Sequence, residues 1–151
     1  MFKFLFLFLL LLMLSISIFA DELSVDINLT AHHWNRTDVA EQHLNEFNPG
    51  VGLHWTDGDF HKLVGFYDNS YKKLSVYGLM AWTPVSIQSV HIGPFAGVVT
   101  GYSAPYKPAA GLYVIAPINA KYNIIFTAVP TIKTESFKCY GFAALQVNVK
   151  F

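Results

Sequence analysis

A histidine and a serine in two separate polar segments are the residues best suited to catalysis in this sequence. His33 and Arg36 begin a long polar segment, and Asn69 and Ser70 belong to the next one. A histidine that lies close to a serine can take the proton of its hydroxyl group, and the activated oxygen can then take part in acyl transfer. The pairing requires a fold that brings the two segments to the same edge.

The histidines and the single cysteine do not predict a metal site. His32 and His33 are adjacent, so their side chains point to opposite faces if they lie on a strand. No third ligand follows them at the kind of spacing that a zinc site uses. Cys139 has no second cysteine with which to form an internal disulfide. We therefore expect no metal ion and no cofactor.

The elements that must position these residues are β-strands rather than helices. Apolar and polar residues alternate with period two in several segments, for example Val25–His32 and Ala144–Phe151. Turn-forming residues separate these segments from one another. The predicted strands cover residues 24–33, 49–56, 60–68, 73–83, 90–102, 109–118, 121–131 and 137–151.

The connections between these strands alternate in length, which predicts the architecture. Tight turns are expected at residues 57–59 and 119–120. The longer or more polar loops are expected at residues 34–48, 69–72, 103–108 and 132–136. Short turns at one end and larger loops at the other are typical of a small outer-membrane barrel. The sequence therefore predicts an all-β fold, an eight-stranded antiparallel up-and-down outer-membrane β-barrel over residues 21–151, with a soluble secreted β-sandwich or lipocalin-like barrel as the alternative.

Composition and the first residues predict export to a lipid environment. Of the 151 residues, 53% are hydrophobic and 13% are charged, with ten basic and ten acidic residues, which argues against nucleic-acid binding. Lys3, the apolar run Phe4–Leu14 and the small residue Ala20 predict a secretory signal peptide over residues 1–20, with an uncleaved anchor as the alternative. The last strand alternates up to Phe151, which looks like an outer-membrane insertion signal, so we expect that location.

Glycines on the predicted inner face indicate free space inside the barrel. Gly93 and Gly97 share one face of their strand with Phe95, and Tyr113 lies on the inner face of the next strand. An eight-stranded barrel is too narrow for an aqueous pore, but its lumen can hold one small ligand. Inward glycines would leave room for an acyl chain, or they would permit the strands to bend in a narrow barrel.

Several motifs resemble those of the PagP family, the outer-membrane lipid A palmitoyltransferases. The segment Thr30–Arg36 looks like the family's Thr-Trp-His-Asn-Arg sequence, and Asp68–Tyr71 is similar to its Asp-Ser-Trp loop motif. Gly50–Leu53 resembles the glycine-rich second strand of the family. The family's order is also kept by the segments Trp82–Pro84, His91–Gly93 and Gly97–Thr100.

The resemblance implies an enzyme that moves a palmitoyl chain from a glycerophospholipid of the outer leaflet to lipid A. It assigns the histidine of the family to His33, with His32 as the competing choice, and the serine to Ser70. Asn69 stands where the family has an aspartate. An amide cannot orient and charge-stabilise an imidazolium as a carboxylate does. A non-catalytic barrel with a structural, adhesive or lipid-binding role is therefore the alternative.

The resemblance and the strand pattern together define the predicted site. The predicted catalytic residues are His33, Ser70 and Asn69. The predicted substrate-binding residues are Arg36, Gly93, Gly97 and Tyr113. The expected partners are a membrane phospholipid, lipid A and the outer-membrane lipid bilayer, without nucleic acid, and we expect a monomer.

Overall fold

Antiparallel β-strands form most of this computed structural model, which describes residues 22–102, 104–133 and 138–151. The predicted signal peptide, residues 1–20, lies outside the described residues. In chain order the elements are β1 (Glu22–His33), α1 (Arg36–Gln42), β2 (Phe47–Asp57), β3 (Phe60–Asp68), β4 (Leu74–Trp82), β5 (Val85–Ile87), β6 (Val90–Val99), β7 (Lys107–Pro117), β8 (Tyr122–Val129), β9 (Ile132–Lys133), β10 (Lys138–Cys139) and β11 (Phe142–Lys150).

Eight of these strands close into a barrel. They pair in the order β4-β3-β2-β1-β11-β8-β7-β6, and an antiparallel pairing between β4 and β6 closes the circle. β5 is a short additional strand beside β6, and β9 and β10 form a separate two-stranded sheet. The predicted eight-stranded antiparallel up-and-down barrel is confirmed. Because the sheet closes on itself, the eight strands satisfy one another's backbone groups.

The two ends of the barrel differ in their connections. At one end, β2 and β3 are joined through Gly58 and Asp59 alone, and Gly58 has the positive φ of 55° that such a tight turn requires. The other end carries the longer connections β1–β2, β3–β4, β6–β7 and β8–β11, and we call it the loop rim. His33 and Ser70 both lie at the loop rim, as the alternation of short and long connections predicts.

The β1–β2 connection, which the sequence predicts as a loop over residues 34–48, contains the seven-residue helix α1. Asn35 caps its first turn, because the side-chain oxygen accepts a hydrogen bond from the backbone N–H of Thr37 at 3.1 Å. His43 ends the helix in the left-handed conformation, with φ of 50°. In the described part of the chain no helix is long and apolar enough to cross a membrane.

The outward faces of the strands are apolar. Large hydrophobic side chains are exposed around the barrel wall, at Leu23, Ile27, Val51, Leu53, Phe66, Val76, Met80, Val98, Leu112, Ile124 and Phe126. These side chains alternate with buried residues along the strands, as the period-two pattern predicts. The barrel wall therefore presents hydrocarbon to its surroundings.

The lumen contains a buried polar chain below an apolar region. His54 Nδ1 lies 3.2 Å from Asp26 Oδ1, His54 Nε2 lies 3.0 Å from His61 Nδ1, and His61 Nε2 lies 3.0 Å from Thr83 Oγ1. These four buried residues cross the lumen from β1 to the end of β4. Toward the loop rim the inner face becomes mostly apolar, with residues such as Tyr77, Leu79, Phe95, Val99 and Val129.

Candidate active site

A β-bulge in β1 turns His33 toward the lumen. The register of β1 with both neighbouring strands shifts between Asn28 and Thr30. Because side chains alternate along a strand, an unbroken β1 with Asn28 inward would also have pointed His32 inward. The extra residue reverses this, so that His33 is 4% exposed while the His32 side chain is 62% exposed. Of the two candidate histidines, His33 faces the lumen.

The loop that carries Ser70 is held by the side chain of Asn69. Asn69 Oδ1 accepts hydrogen bonds from the backbone N–H groups of Tyr71 at 2.8 Å and Lys73 at 3.1 Å. Its Nδ2 donates to Ser75 Oγ at 2.9 Å. It also donates to the carbonyl oxygen of Gly101 at 2.8 Å, so the amide is committed to the β3–β4 loop, the start of β4 and the β6–β7 loop. In this geometry Asn69 positions Ser70 and does not orient the imidazole, so its predicted catalytic role has no contact to support it.

His33 and Ser70 meet at the loop rim. His33 Nε2 lies 3.2 Å from Ser70 Oγ, although the two residues are 37 positions apart in the sequence. Both side chains are buried, and the ring of Phe142 packs against the imidazole with the centroids 5.8 Å apart. This distance is short enough for proton transfer between a hydroxyl group and an imidazole.

Glu46 supplies a carboxylate beside His33. Its Oε1 accepts a hydrogen bond from the backbone N–H of His33 at 2.9 Å and lies 3.7 Å from His33 Nδ1. The Arg36 guanidinium donates to the same oxygen at 2.6 Å and lowers the pKa of Glu46 to about 2. A carboxylate near Nδ1 favours the tautomer with its proton there, which leaves Nε2 to accept the proton of Ser70.

Sequence reasoning missed Glu46 because this residue lies in a long loop and belongs to no motif. The signal that identifies it is the register of the β1–β2 hairpin. Thr30 pairs with Phe47, so the next pair toward the rim is Ala31 with Glu46. The backbone N–H of Ala31 does donate to the carbonyl oxygen of Glu46 at 3.0 Å. Glu46 therefore lies beside the end of β1, where His33 is located.

The polar groups around the pair form an ion-pair network. Arg36 Nη1 and His32 Nδ1 lie 2.6 and 3.5 Å from Glu46 Oε1. Arg36 is exposed as well as paired, and its predicted role in substrate binding stays a prediction. Within residues 22–102, 104–133 and 138–151, no group of three His, Cys, Asp or Glu residues is arranged to hold a metal ion.

Two cavities lie at and below the His33–Ser70 pair. The mouth cavity has a volume of about 70 Å³, and its lining includes His33, Ser70, Tyr71, Tyr102, Lys107 and Phe142. The inner cavity has a volume of about 80 Å³, and its largely apolar walls include Leu79, Phe95, Val99, Val129 and Phe142. Tyr67, Tyr102 and Ser70 border both cavities, and the Tyr67 and Tyr102 hydroxyl oxygens are 3.1 Å apart. Ser70 therefore lies where the two cavities meet.

Three residues predicted to line an acyl pocket lie elsewhere. A Cβ on Gly93 would lie 1.8 Å from the carbonyl oxygen of Trp82, and one on Gly97 would lie 2.2 Å from another carbonyl oxygen. These glycines allow backbones to approach and do not open space. Tyr113 is 1% exposed and packs on His61, with the ring centroids 5.3 Å apart. None of the three lines the mouth cavity or the inner cavity.

Comparison with known proteins gives a likeness of fold. No family model and no curated protein matches this chain. Among solved structures, the chain is similar to the solution NMR structure of the de novo designed TMB2.3, a designed transmembrane β-barrel. The TM-score is 0.59 at 13% sequence identity, and the match covers 87% of this chain and 97% of that chain.

Proposed function

We propose that this protein is an outer-membrane acyltransferase that moves a fatty acyl chain from a glycerophospholipid to lipid A. The observation that supports this most strongly is the His33–Ser70 pair, with 3.2 Å between Nε2 and Oγ, at the junction of two cavities. The Glu46 carboxylate near the imidazole fits the same reaction class. The two lipid substrates are those that the resemblance to the PagP family implies.

The barrel wall supports a location in a lipid bilayer. Leu53, Phe66 and Met80 are each more than two-fifths exposed, and they belong to a larger set of outward apolar side chains. Soluble proteins rarely expose apolar surface of this extent. The likeness to a designed transmembrane barrel agrees with a membrane location. We propose that the membrane is the outer membrane and that the loop rim faces the outer leaflet, where both lipids are found.

The proposed reaction has two steps that both use the Ser70 oxygen. His33 Nε2 takes the proton of the Ser70 hydroxyl while Oγ attacks the carbonyl carbon of the donor ester. The bond from that carbon to the glycerol oxygen breaks, and the lysophospholipid leaves with the proton from His33. A lipid A hydroxyl then passes its proton to His33 and attacks the acyl-serine ester, and Ser70 recovers its proton from His33. Glu46 stabilises the imidazolium in both steps.

The two cavities give the acyl chain a defined direction. The ester lies at Ser70, and the hydrocarbon extends into the inner cavity, whose walls are largely apolar. The mouth cavity at the loop rim receives the polar part of the donor, next to Lys107. Because Ser70 borders both cavities, its oxygen can reach an ester that lies between the chain and the headgroup.

A lipid assay with two products tests the proposal. Purified protein in vesicles is given a glycerophospholipid with a labelled acyl chain together with lipid A. We expect labelled lipid A from the wild type and none from Ser70→Ala. The control is Ser86→Ala, which removes an exposed serine of β5 and should leave the rate unchanged. Labelled free fatty acid without labelled lipid A would identify a hydrolase and contradict the transferase.

A lipid-binding barrel without chemistry is the second candidate. It is favoured by the distance of 3.7 Å between His33 Nδ1 and Glu46 Oε1, which is longer than a hydrogen bond. In that case the protein would bind a phospholipid chain, and neither product would form. The same assay therefore separates the two candidates, because bound lipid can be measured in the samples that show no turnover.

A further inference from the structure

We infer that the floor of the inner cavity binds a hydroxyl group carried on a hydrocarbon chain. The floor is formed by three polar residues, Asn28, Tyr77 and Gln146, which all line this cavity. Their side chains are 9%, 3% and 8% exposed, so each is more than nine-tenths buried. Polar groups at such depth in a largely apolar cavity need hydrogen-bond partners.

Each of the three residues has a polar atom without a partner. Gln146 Nε2 donates to Asn28 Oδ1, and this hydrogen bond satisfies the nitrogen of the Gln146 amide and the oxygen of the Asn28 amide. Asn28 Nδ2, Gln146 Oε1 and the Tyr77 hydroxyl have no hydrogen-bond partner of good geometry in the described part of the chain, although the Asn28 side chain lies close to the Tyr77 hydroxyl. The three atoms are one N–H donor, one carbonyl acceptor and one hydroxyl that can do either. A group that both donates and accepts would satisfy them together.

Two glycines bring the Tyr77 hydroxyl to this place. Gly65 pairs with Tyr77 across β3 and β4, and Gly52 pairs with Gly65 on the next strand. A Cβ on Gly65 would lie 2.7 Å from the Tyr77 hydroxyl oxygen, and one on Gly52 would lie 2.2 Å from it. The ring therefore lies across both glycines and reaches toward β1, where Gly52 pairs with Asp26, two residues before Asn28.

The shape of the site defines the class of ligand. The walls between Ser70 and the floor are largely apolar, so the ligand must carry hydrocarbon above its hydroxyl group. The volume of about 80 Å³ is several times the roughly 10–15 Å³ that one water molecule needs on the same measure. His33 lies five positions after Asn28 in β1, which is roughly 16 Å along the strand. A medium-length chain with a hydroxyl at its far end fits these dimensions.

The inference rests on the proposed function in one respect, since it names the acyl chain that the same cavity would hold. Binding can nevertheless be measured without turnover, by using free fatty acids that contain no ester. Selective binding without acyl transfer would contradict only the proposed function. Acyl transfer without selective binding would contradict only the inference drawn from the floor.

A pair of matched ligands and a pair of matched variants test the inference. Decanoic acid and ω-hydroxydecanoic acid are each used to displace a fluorescent fatty acid from the protein in nanodiscs. The ratio of their two affinities is then compared between the wild type and the variants. Because each acid partitions into lipid to the same extent in every sample, this comparison removes the effect of their different partitioning. Tyr77→Phe removes one hydroxyl and leaves the ring against the glycines. We expect the preference for the hydroxylated acid to fall about tenfold, the value of one hydrogen bond.

Tyr113→Phe is the control, because Tyr113 is equally buried and also has an unpartnered hydroxyl in the described part of the chain, but lines neither cavity. Its ratio should equal that of the wild type. Should Tyr77→Phe fail to fold, Gln146→Met removes the carbonyl acceptor and should lower the same ratio. An equal ratio in the wild type and the floor variants would mean that the floor binds water alone, and would overturn the inference.

Discussion

The chemistry at the loop rim depends on whether the Asn69 amide or the Glu46 carboxylate lies beside the His33 imidazole. Sequence reasoning predicts His33 and Ser70 as partners, and their atoms lie 3.2 Å apart. It also predicts Asn69 as the third member, because a motif places that residue next to Ser70. The amide is used to hold its own loop, and the nearby carboxylate comes from Glu46. A motif records neighbours in the chain and cannot record a residue that a hairpin brings close.

Glu46→Gln tests the role of the carboxylate. The substitution keeps the shape of the side chain but removes the charge that stabilises an imidazolium, so we expect acyl transfer to slow by roughly ten- to a hundredfold. Initial rates with a labelled phospholipid measure the effect. Glu41→Gln on α1, where the residue is exposed, is the matched control. An unchanged rate in Glu46→Gln would show that the carboxylate plays no part in the reaction.

Arg36→Met tests the ion pair that holds this carboxylate. Arg36 favours the charged form of Glu46 and lowers its pKa to about 2, so Glu46 stays ionised until the pH falls through that value. Without the guanidinium, we expect the pKa to rise toward the ordinary value of about 4.3. Carboxyl ¹³C NMR of the labelled protein between about pH 2 and 6 follows the titration. Lys72→Met is the control, and a pKa that stays near 2 in Arg36→Met would contradict the assignment.

At the element scale, a bulge within one strand decides which histidine is available. Alternation predicts β1 over residues 24–33, and the strand covers Glu22–His33. The same alternation puts His32 on the face of Asn28, whereas the bulge puts His33 there. One extra residue leaves composition and strand length almost unchanged, so a period-two pattern does not reveal it. The resemblance to a known family pointed to His33 for a different reason, the position of Asn35 and Arg36.

The buried polar chain ties four elements together, and His54→Leu tests its contribution to stability. Asp26 is fully buried, and its Oδ1 accepts from Asn148 Nδ2 at 2.7 Å and contacts His54 Nδ1 at 3.2 Å. Removing the imidazole leaves a buried carboxylate with fewer partners. We expect the free energy of unfolding to fall by about 2–4 kcal/mol.

Urea titration in lipid vesicles, followed by tryptophan fluorescence, measures this loss. His91→Leu is the matched control, since His91 is half-buried at the start of β6 and takes no part in the hydrogen bonds that link Asp26, His54, His61 and Thr83. Its effect should be small. Equal losses in the two variants would mean that the polar chain contributes nothing specific.

At the scale of the whole molecule, the barrel is predictable and its free space is not. Period-two alternation and the alternation of short and long connections follow from one closed sheet with two different faces, and both can be read along the chain. The cavities depend on how side chains from several strands fill the lumen. Gly93 and Gly97 lie against backbone carbonyls, and the space lies instead beside larger residues such as Leu79 and Phe95.

Leu53→Arg tests whether the barrel wall faces lipid. Leu53 is an exposed residue in the middle of β2, and Leu74 is an exposed residue at the loop rim, where β4 begins. An arginine costs about 2–4 kcal/mol at the centre of a bilayer but about 0–1 kcal/mol near its surface. In vesicles we therefore expect Leu53→Arg to be much more destabilising than Leu74→Arg. Equal effects would place the wall in water and contradict a membrane barrel.

The assignment of His33 as the base is tested by the rates of acyl transfer in His33→Ala and His32→Ala, measured side by side in vesicles with a labelled phospholipid and lipid A. The two variants make the same chemical change at adjacent positions, one buried against Ser70 and one exposed. We expect His33→Ala to abolish transfer and His32→Ala to retain most of it. Transfer that persists in His33→Ala, or that is lost only in His32→Ala, would contradict the assignment of His33.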